Sequence, residues 1–269
     1  ADEPKARSDP ARPSKRRVKV FRYDPSEGGA GRYDGFDIEV PDETTTTVLD
    51  LLLRLQREQD PTLAFRYACR VNMCGSGALV VNGRERLACK TNVSELPAGA
   101  EITLRPLNHL PVVKDLVVDL EPFFEKLEKA LPFYEPASDA KEPARIRPDA
   151  PERRDIGMAT ECIQCASCYS SCTMVRLHPE YAGPAALNRA FTLLADSRDG
   201  LYDERLESVL EGCYRCRTEF NCTGVCPKDL SPTRAIKRIQ WFAFARPGQR
   251  PRPASAGNGA EKKAAPAAA

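Results

Sequence analysis

The sequence predicts an α+β protein in which a β-rich domain precedes a helical domain. Alternating strand patterns and a hairpin signal fall between residues 18 and 108, and strand patterns disappear beyond Ile156. Five prolines between residues 132 and 154 indicate a linker or extended segment between the two parts. We therefore expect one domain built on a sheet and one built on packed helices.

The first predicted elements are a β-hairpin and a helix. Residues 17–23 alternate in the manner of a strand, with Val18 and Val20 on one face. Four glycines between residues 28 and 35 favour a turn region, after which residues 36–40 return as a second strand. Threonines then offer helix caps, and the leucines of residues 48–56 form one apolar helical face.

A second hairpin completes the predicted first domain. Residues 66–77 hold two cysteines and two glycines, which is typical of a loop. Two short strands, 78–81 and 86–88, flank Asn82-Gly83, a strong signal for a tight hairpin turn. With a last strand at 102–104, the order of elements predicts a small β-grasp-like domain.

The second half is predicted to be helical. Pro184 opens a segment, 184–196, in which Leu187, Ala190, Phe191 and Leu194 form one stripe. Residues 203–210 and 233–244 show the same helical character. The second domain is therefore predicted as a helical unit threaded with cysteines.

Charge is concentrated in two predicted tails. The net charge is +2, yet residues 1–17 contribute +3 and residues 246–269 contribute +4, which leaves the body at −5. Both tails are rich in proline, alanine and charge, a composition typical of disorder. We therefore expect domains at 18–119 and 120–245 between two disordered tails, and no basic face for nucleic acid.

Eleven cysteines accompany only two histidines. No apolar run approaches the roughly 18 residues of a membrane helix, and the first residues lack the apolar core of a secretory signal. In a reducing compartment, cysteine clusters indicate metal binding or catalysis more often than disulfides. An odd number of cysteines also argues against a pure disulfide framework.

The first cysteine group, Cys69, Cys74 and Cys89, predicts a 2Fe–2S site. Its C-x4-C-x2 spacing is that of plant-type ferredoxins, with Gly77 at the position of the third cysteine. Glycines in such a loop let backbone amides approach the cluster sulfides, which tunes the reduction potential.

Two further runs follow the bacterial ferredoxin pattern, in which the last cysteine serves the other cluster. The predicted 4Fe–4S ligands are therefore Cys162, Cys165, Cys168 and Cys226, and the remaining set is Cys172, Cys216 and Cys222. The spacing is not one that zinc sites use, and both histidines lie outside the runs.

The remaining set lacks its middle cysteine, because Glu219 stands between Cys216 and Cys222. A site with three thiolates predicts a 3Fe–4S cluster. Cys213 falls outside every pattern and fits a buried structural thiol better than an alternative ligand.

The three motifs together resemble the iron–sulfur subunits of succinate dehydrogenase and fumarate reductase over about residues 18–245. Matching stretches beyond the clusters include residues 107–115 (LNHLPVVKD), 196–199 (DSRD) and 226–228 (CPK). The resemblance implies a plant-type ferredoxin-like first domain, a helical ferredoxin-like second domain, and a role in the respiratory chain and the tricarboxylic acid cycle.

The resemblance also implies partners. A separate flavoprotein would interconvert succinate and fumarate on FAD. Electrons would pass through the 2Fe–2S, 4Fe–4S and 3Fe–4S clusters, in that order, to a quinone at a membrane anchor. The β-grasp face would contact the flavoprotein and the helical face the anchor. The chain would then lie peripherally on the cytoplasmic side of the inner (plasma) membrane, without a dicarboxylate site or catalytic residues of its own.

Several residues depart from the pattern of that family. Gly77 stands where members have Cys or sometimes Asp, so the fourth 2Fe–2S ligand could be Ser76, water or a partner group, or the cluster could be labile or absent. We expect a weakened cluster rather than a lost one, because the other three cysteines remain. Thr173 replaces a proline after Cys172.

The region predicted to lie near the quinone departs as well. Leu177, Arg217 and Gln240 stand where ubiquinone-type members have Trp, His and Lys, which leaves the quinone type open.

Two alternatives come from other functional classes. The chain could serve a different flavoprotein dehydrogenase, which succinate-dependent dye reduction by the purified complex would exclude. Its clusters could instead be structural or sense redox state, in which case they would stay oxidised during turnover with succinate.

Overall fold

A five-stranded mixed sheet organises the first half of the chain. The computed structural model describes residues 13–139 and 145–245. The sheet has the order β2-β1-β5-β3-β4, in which β1 and β5 are parallel and the other pairs antiparallel. Its strands are β1 (Ser14–Arg22), β2 (Arg32–Val40), β3 (Ala78–Val81), β4 (Arg84–Leu87) and β5 (Ile102–Arg105).

One helix, α1 (Val48–Glu58), crosses the sheet and closes the first core. It begins at Thr47, whose hydroxyl accepts from the Asp50 amide while the Asp50 carboxylate accepts from the Thr47 amide, a capping box. Its leucines are almost fully buried against Val18 and Val20 of β1 and Ile102 of β5. The predicted helix and first hairpin are therefore present, and their predicted apolar faces are buried in one core.

The hairpin of β3 and β4 turns at Asn82-Gly83, as predicted. Both residues have positive φ, +49° and +79°, and Val81 pairs with Arg84, which defines a two-residue loop. The hairpin reaches the helical half, because the Arg84 guanidinium donates to the Gly224 carbonyl and Lys90 Nζ donates to the Pro227 carbonyl at 2.7 Å.

The second half is helical. A short hairpin, β6 (Val112–Lys114) and β7 (Val117–Val118), precedes it. The helices are α2 (Glu121–Glu128), α3 (Pro151–Ile156), α4 (Ser167–Ser170), α5 (Thr173–Leu177), α6 (Pro184–Leu194), α7 (Tyr202–Arg215), α8 (Asn221–Gly224) and α9 (Pro232–Ala245). Helices α6, α7 and α9 pack on one another around a core that contains Leu187, Phe191 and Ile239.

Within the described parts of the chain, none of these helices has the length and apolar character that crossing a membrane requires. The side chains of Leu107, Leu110 and Val118 join the helical core, although they precede residue 119, where we placed the end of the first domain.

Two boundaries differ from the sequence prediction. The tail predicted to extend to residue 17 ends earlier, because Ser14–Arg22 forms β1 and Arg16 is buried, with its guanidinium donating to the Pro97 carbonyl at 2.9 Å. The sequence pattern did not show this start of the strand, because residues 15–17 are three consecutive basic residues without an apolar alternation. The Pro-rich segment is also not all linker, since Pro151 begins α3 at a first-turn position that tolerates proline. The rest of the first tail and the whole of 246–269 lie outside the described residues.

Candidate iron–sulfur cluster sites

Four cysteines from distant parts of the chain line one hollow in the helical half. Cys162, Cys165 and Cys168 come from the loop before α4 and its first turn, and Cys226 comes from the end of the other run. These are the residues that the spacing grouped as 4Fe–4S ligands. Leu230 and Pro232 also line the hollow, so its wall is largely apolar.

A neighbouring hollow holds the third predicted set; we call it the third hollow, and the hollow of the second set the second hollow. Cys172, Cys216 and Cys222 line it together with Tyr181 and Thr233. The short helices α4 and α8 that follow the two loops contact each other. Each run thus sends its last cysteine to the hollow of the other run, the exchange typical of two-cluster ferredoxins.

The two cysteine loops repeat one backbone conformation. Cys162 has φ −64° and ψ 121°, and Cys216 has φ −64° and ψ 122°. Four residues later, Ala166 and Phe220 are both left-handed, with φ 61° and 63°, and each precedes a four-residue helix. Glu219 therefore occupies in the third set the place that Cys165 occupies in the second.

The side chain of Glu219 is held at the rim of its hollow. Thr173 Oγ1 donates to the Glu219 carboxylate, and Asn221 Nδ2 lies 3.4 Å from the same oxygen. Thr173 directly follows Cys172. Thr173, which departs from the family pattern, therefore contacts the residue that stands in place of the middle cysteine.

Burial dominates the electrostatics of these thiols. It raises the pKa of Cys165, Cys168 and Cys222, because the charged thiolate is poorly solvated there. Short contacts oppose this effect: Ser167 Oγ lies 3.4 Å from Cys165 Sγ, and Thr233 Oγ1 lies 3.3 Å from Cys222 Sγ. Once the sulfurs are deprotonated and bind a cluster, these hydroxyls are placed to donate to them, the kind of contact that tunes a metal site.

Among residues 13–139 and 145–245, no three His, Cys, Asp or Glu side chains converge tightly enough to share one metal ion. A tetrahedral zinc site would hold its sulfurs within about 4 Å of one another, given Zn–S bonds near 2.3 Å. The cysteines instead surround hollows, as ligands of a multi-atom cluster do. The donor set and its geometry therefore fit iron–sulfur clusters.

The first cysteine set lies on a loop whose amides point at one sulfur. The amides of Val71, Met73 and Cys74 approach Cys69 Sγ at 3.5, 3.2 and 3.3 Å. Cys74 is exposed, and its neighbour Ser76, by hydrogen bonding to the sulfur, lowers the pKa of the Cys74 thiol to about 6. This loop stabilises thiolates without needing a basic side chain.

Gly77 lies beside the third cysteine of this set. The Ala88 amide donates to the Gly77 carbonyl at 2.9 Å, and Cys89 is the next residue. A Cβ placed on Gly77 would meet nothing closer than the Arg66 carbonyl at 3.6 Å. Position 77 thus has room for a side chain, although glycine supplies none.

The first and second sets meet at Gly75. Its φ is +74°, and a Cβ there would lie only 2.8 Å from Cys165 Cβ and 3.2 Å from the Ile163 carbonyl. Cys74, Gly77 and Cys165 also line one cavity. The glycine brings the two loops into direct contact, which shortens the path between the first and second cysteine sets.

The residues predicted to lie near the quinone are not grouped together. Arg217 lines the third hollow, and Leu177, at the end of α5, is 56% exposed. Gln240 packs between α9 and α7, where its Nε2 donates to the Cys213 carbonyl at 2.6 Å. Cys213 itself is fully buried, its thiol donates to the Leu210 carbonyl at 3.1 Å, and burial raises its pKa to about 11.

Sequence reasoning missed the residues around the clusters that are not cysteines. Tyr181, Thr233 and Asn188 line the two hollows from other helices and turns. None belongs to a spacing pattern, so no local signal could have identified them.

Comparisons with known proteins agree on the same architecture. A family model described as a 2Fe–2S iron–sulfur cluster binding domain matches residues 17–125, and one described as a 4Fe–4S dicluster domain matches residues 158–230. The succinate dehydrogenase iron–sulfur subunit of Paracoccus denitrificans is 38% identical over 230 residues, which cover 84% of this chain and 86% of that protein. The subunit of the same name from Coxiella burnetii is 34% identical, covering 82% and 94%.

A solved structure shows the same likeness. The Mycobacterium smegmatis Sdh1 complex in the apo form contains a chain that superposes with a TM-score of 0.74 at 29% identity, covering 86% of this chain and 97% of that one.

Proposed function

Because the chain belongs to the family of succinate dehydrogenase iron–sulfur subunits, we propose that its three cysteine sets hold the three clusters of that family in sequence order. The chain is the electron-transfer subunit of a succinate:quinone oxidoreductase, with 2Fe–2S, 4Fe–4S and 3Fe–4S clusters as cofactors. When bound, the clusters accept and release single electrons. The protein's part is to hold them close together and away from water.

The observation that carries the proposal is the contact of the successive sets. Gly75 places the loop of the first cysteine set against Cys165. Helices α4 and α8, which follow the loops of the second and third hollows, contact each other. We assign Cys69, Cys74 and Cys89 to the 2Fe–2S cluster. The 4Fe–4S cluster takes Cys162, Cys165, Cys168 and Cys226, and the 3Fe–4S cluster takes Cys172, Cys216 and Cys222.

Exposed apolar side chains mark both ends of this path. Val71 and Met73, which lie between Cys69 and Cys74 in the loop of the first cysteine set, are 66% and 61% exposed. Exposed apolar groups of this kind mark protein–protein contacts. We assign this end to a flavoprotein that carries FAD and oxidises or forms the dicarboxylate.

The opposite end carries a second apolar group. Phe220, which lines the third hollow, is 59% exposed, and the exposed side chains of Leu177 and Tyr214 lie five residues after Cys172 and two residues before Cys216. We assign this end to a membrane anchor and its quinone, and we propose that the chain lies peripherally on the cytoplasmic face of the plasma membrane. Arg215 and Arg238 are ion-paired with Glu211 and Asp155, so they contribute no free charge to a lipid surface.

Site-specific photo-crosslinking in the intact complex tests these partner assignments. A benzophenone amino acid at Val71 should link the chain to the flavoprotein, and one at Phe220 should link it to the membrane subunit. The same probe at Tyr33, which lies on the sheet away from the cysteines, is the control. If both probes capture the same subunit, the proposed orientation is wrong.

A further inference from the structure

Tyr181 carries a hydroxyl group that the protein leaves unpaired. The side chain is 1% exposed and is among the largest that the core buries completely. Its oxygen is fully buried and has no hydrogen-bond partner among the described residues. Buried hydroxyls are nearly always paired, because removing one from water without a new partner is unfavourable. The orphaned group therefore points to a partner that binds in the same hollow.

The position of the ring identifies that partner. Tyr181 lines the hollow of Cys172, Cys216 and Cys222 together with Thr233. A Cβ built on Gly212 of α7 would lie 3.9 Å from Tyr181 Cδ2, so α7 passes close to one edge of the ring. The backbone is fixed, since the Tyr181 amide donates to the His178 carbonyl at 2.9 Å.

We propose that the Tyr181 hydroxyl donates a hydrogen bond to the sulfur shell of the third cluster and thereby raises its reduction potential. This inference rests on the proposed function, because it requires a cluster at that site. The phenol is a hydrogen-bond donor at physiological pH, because the pKa of a tyrosine hydroxyl is ordinarily near 10. A hydrogen bond to a cluster sulfur stabilises the reduced form, which carries one more negative charge. Tyr181 is a positioning and tuning residue and not a cluster ligand.

A hydrogen bond to the cluster also accounts for a tyrosine, and not a phenylalanine, at this buried position. A phenylalanine would fill the same volume against Gly212 without leaving a buried oxygen unpaired. The buried hydroxyl is therefore explained by the hydrogen bond that it makes to a sulfur of the third cluster when that cluster is bound. The terminal cluster of the chain is the one whose potential sets electron delivery to the acceptor.

Redox titration monitored by EPR in the intact, cluster-loaded complex tests the inference with Tyr181→Phe. We expect the three-iron signal to remain and its midpoint potential to fall by about 59 mV, which is a tenfold lower ratio of reduced to oxidised cluster at a fixed ambient potential. Tyr134→Phe is the matched control, because it also removes one hydroxyl donor, to the Arg198 carbonyl at 3.0 Å, but does not line the hollow. That control should leave the potential unchanged.

Pulsed EPR supplies a second measurement. The wild-type cluster should show a coupled exchangeable proton that is absent in Tyr181→Phe. A three-iron signal with unchanged potential and unchanged proton coupling would overturn the role of Tyr181 alone. Absence of any three-iron signal in the wild-type complex would instead overturn the proposed cluster assignment, so the two failures are distinguishable.

Discussion

The backbone at Gly75 passes so close to Cys165 that a Cβ at position 75 would lie 2.8 Å from the cysteine Cβ. This contact joins the loop of the first cysteine set to the loop of the second. It depends on glycine for two reasons, the positive φ of +74° and the lack of space.

Gly75→Ala should therefore separate the two loops. We expect the free energy of unfolding to fall by about 3 kcal/mol, the sum of left-handed strain and overpacking. Gly99→Ala is the control, because its φ is +66° but its Cβ would meet nothing within 4 Å. It should lose only about 1 kcal/mol. Equal losses in the two variants, measured by denaturant unfolding of the loaded protein, would show that the contact with Cys165 is unimportant.

Gly77→Cys should strengthen the 2Fe–2S site. Position 77 lies beside Ala88 and Cys89, and the added Cβ finds ordinary contact distances. A fourth thiolate there should raise the intensity of the reduced 2Fe–2S EPR signal and slow cluster loss in air. Gly77→Ala, which adds the Cβ without the sulfur, should change neither. If Gly77→Cys also changes neither quantity, the site does not lack a ligand.

Glu219→Cys should convert the third cluster towards 4Fe–4S. Glu219 occupies the backbone position that Cys165 occupies in the second loop, so a thiol there is placed to bind a fourth iron. The three-iron EPR signal should decline and the iron content should rise by about one atom per chain. Glu219→Gln, which supplies no thiol, should keep the three-iron signal. Two complete four-iron clusters in the wild-type protein would refute this reasoning.

Cys74 should be the most reactive thiol after cluster removal. Because Ser76 lowers the pKa of Cys74 to about 6, its thiolate forms as the pH rises through about 6 and dominates at neutral pH. Burial keeps Cys168 and Cys222 protonated over the same range. Alkylation of chelator-treated protein, followed by mass spectrometry from pH 5 to 9, should show this order.

Ser76→Ala tests the cause of that shift. Loss of the hydroxyl should move the alkylation midpoint of Cys74 to higher pH, towards the ordinary value near 8.5. Ser94→Ala, on a turn away from the cysteines, should not move it. A wild-type midpoint already near 8.5 would contradict the effect of Ser76.

The elements with long periodic patterns were predictable from sequence. Helix α6 and the Asn82-Gly83 hairpin follow from the stripe of Leu187 and Phe191 and from turn chemistry. The four-residue helices α4 and α8 were not predicted, because the cysteine loops and their left-handed residues, not propensity, set their start. Strands β6 and β7 are too short to show a period.

Which cysteines line the same hollow could be predicted from sequence, because the spacing within ferredoxin-type motifs follows the cluster that each cysteine serves. The other residues that line the hollows could not be predicted in this way. Tyr181 and Thr233 reach the third hollow through tertiary packing, and their distance in sequence from Cys222 carries no information about that contact. The close approach at Gly75 was equally hidden, since a glycine in a loop does not reveal which backbone it will meet.

We expect this chain to hold three iron–sulfur clusters in succession and to conduct electrons between its partner subunits. The measurement that decides this is EPR on the intact complex, purified anaerobically and titrated with succinate. We expect a three-iron signal in the oxidised complex and reduction of the clusters by succinate within the turnover time. Colourless protein that contains zinc or no metal, or clusters that stay oxidised with succinate, would contradict it.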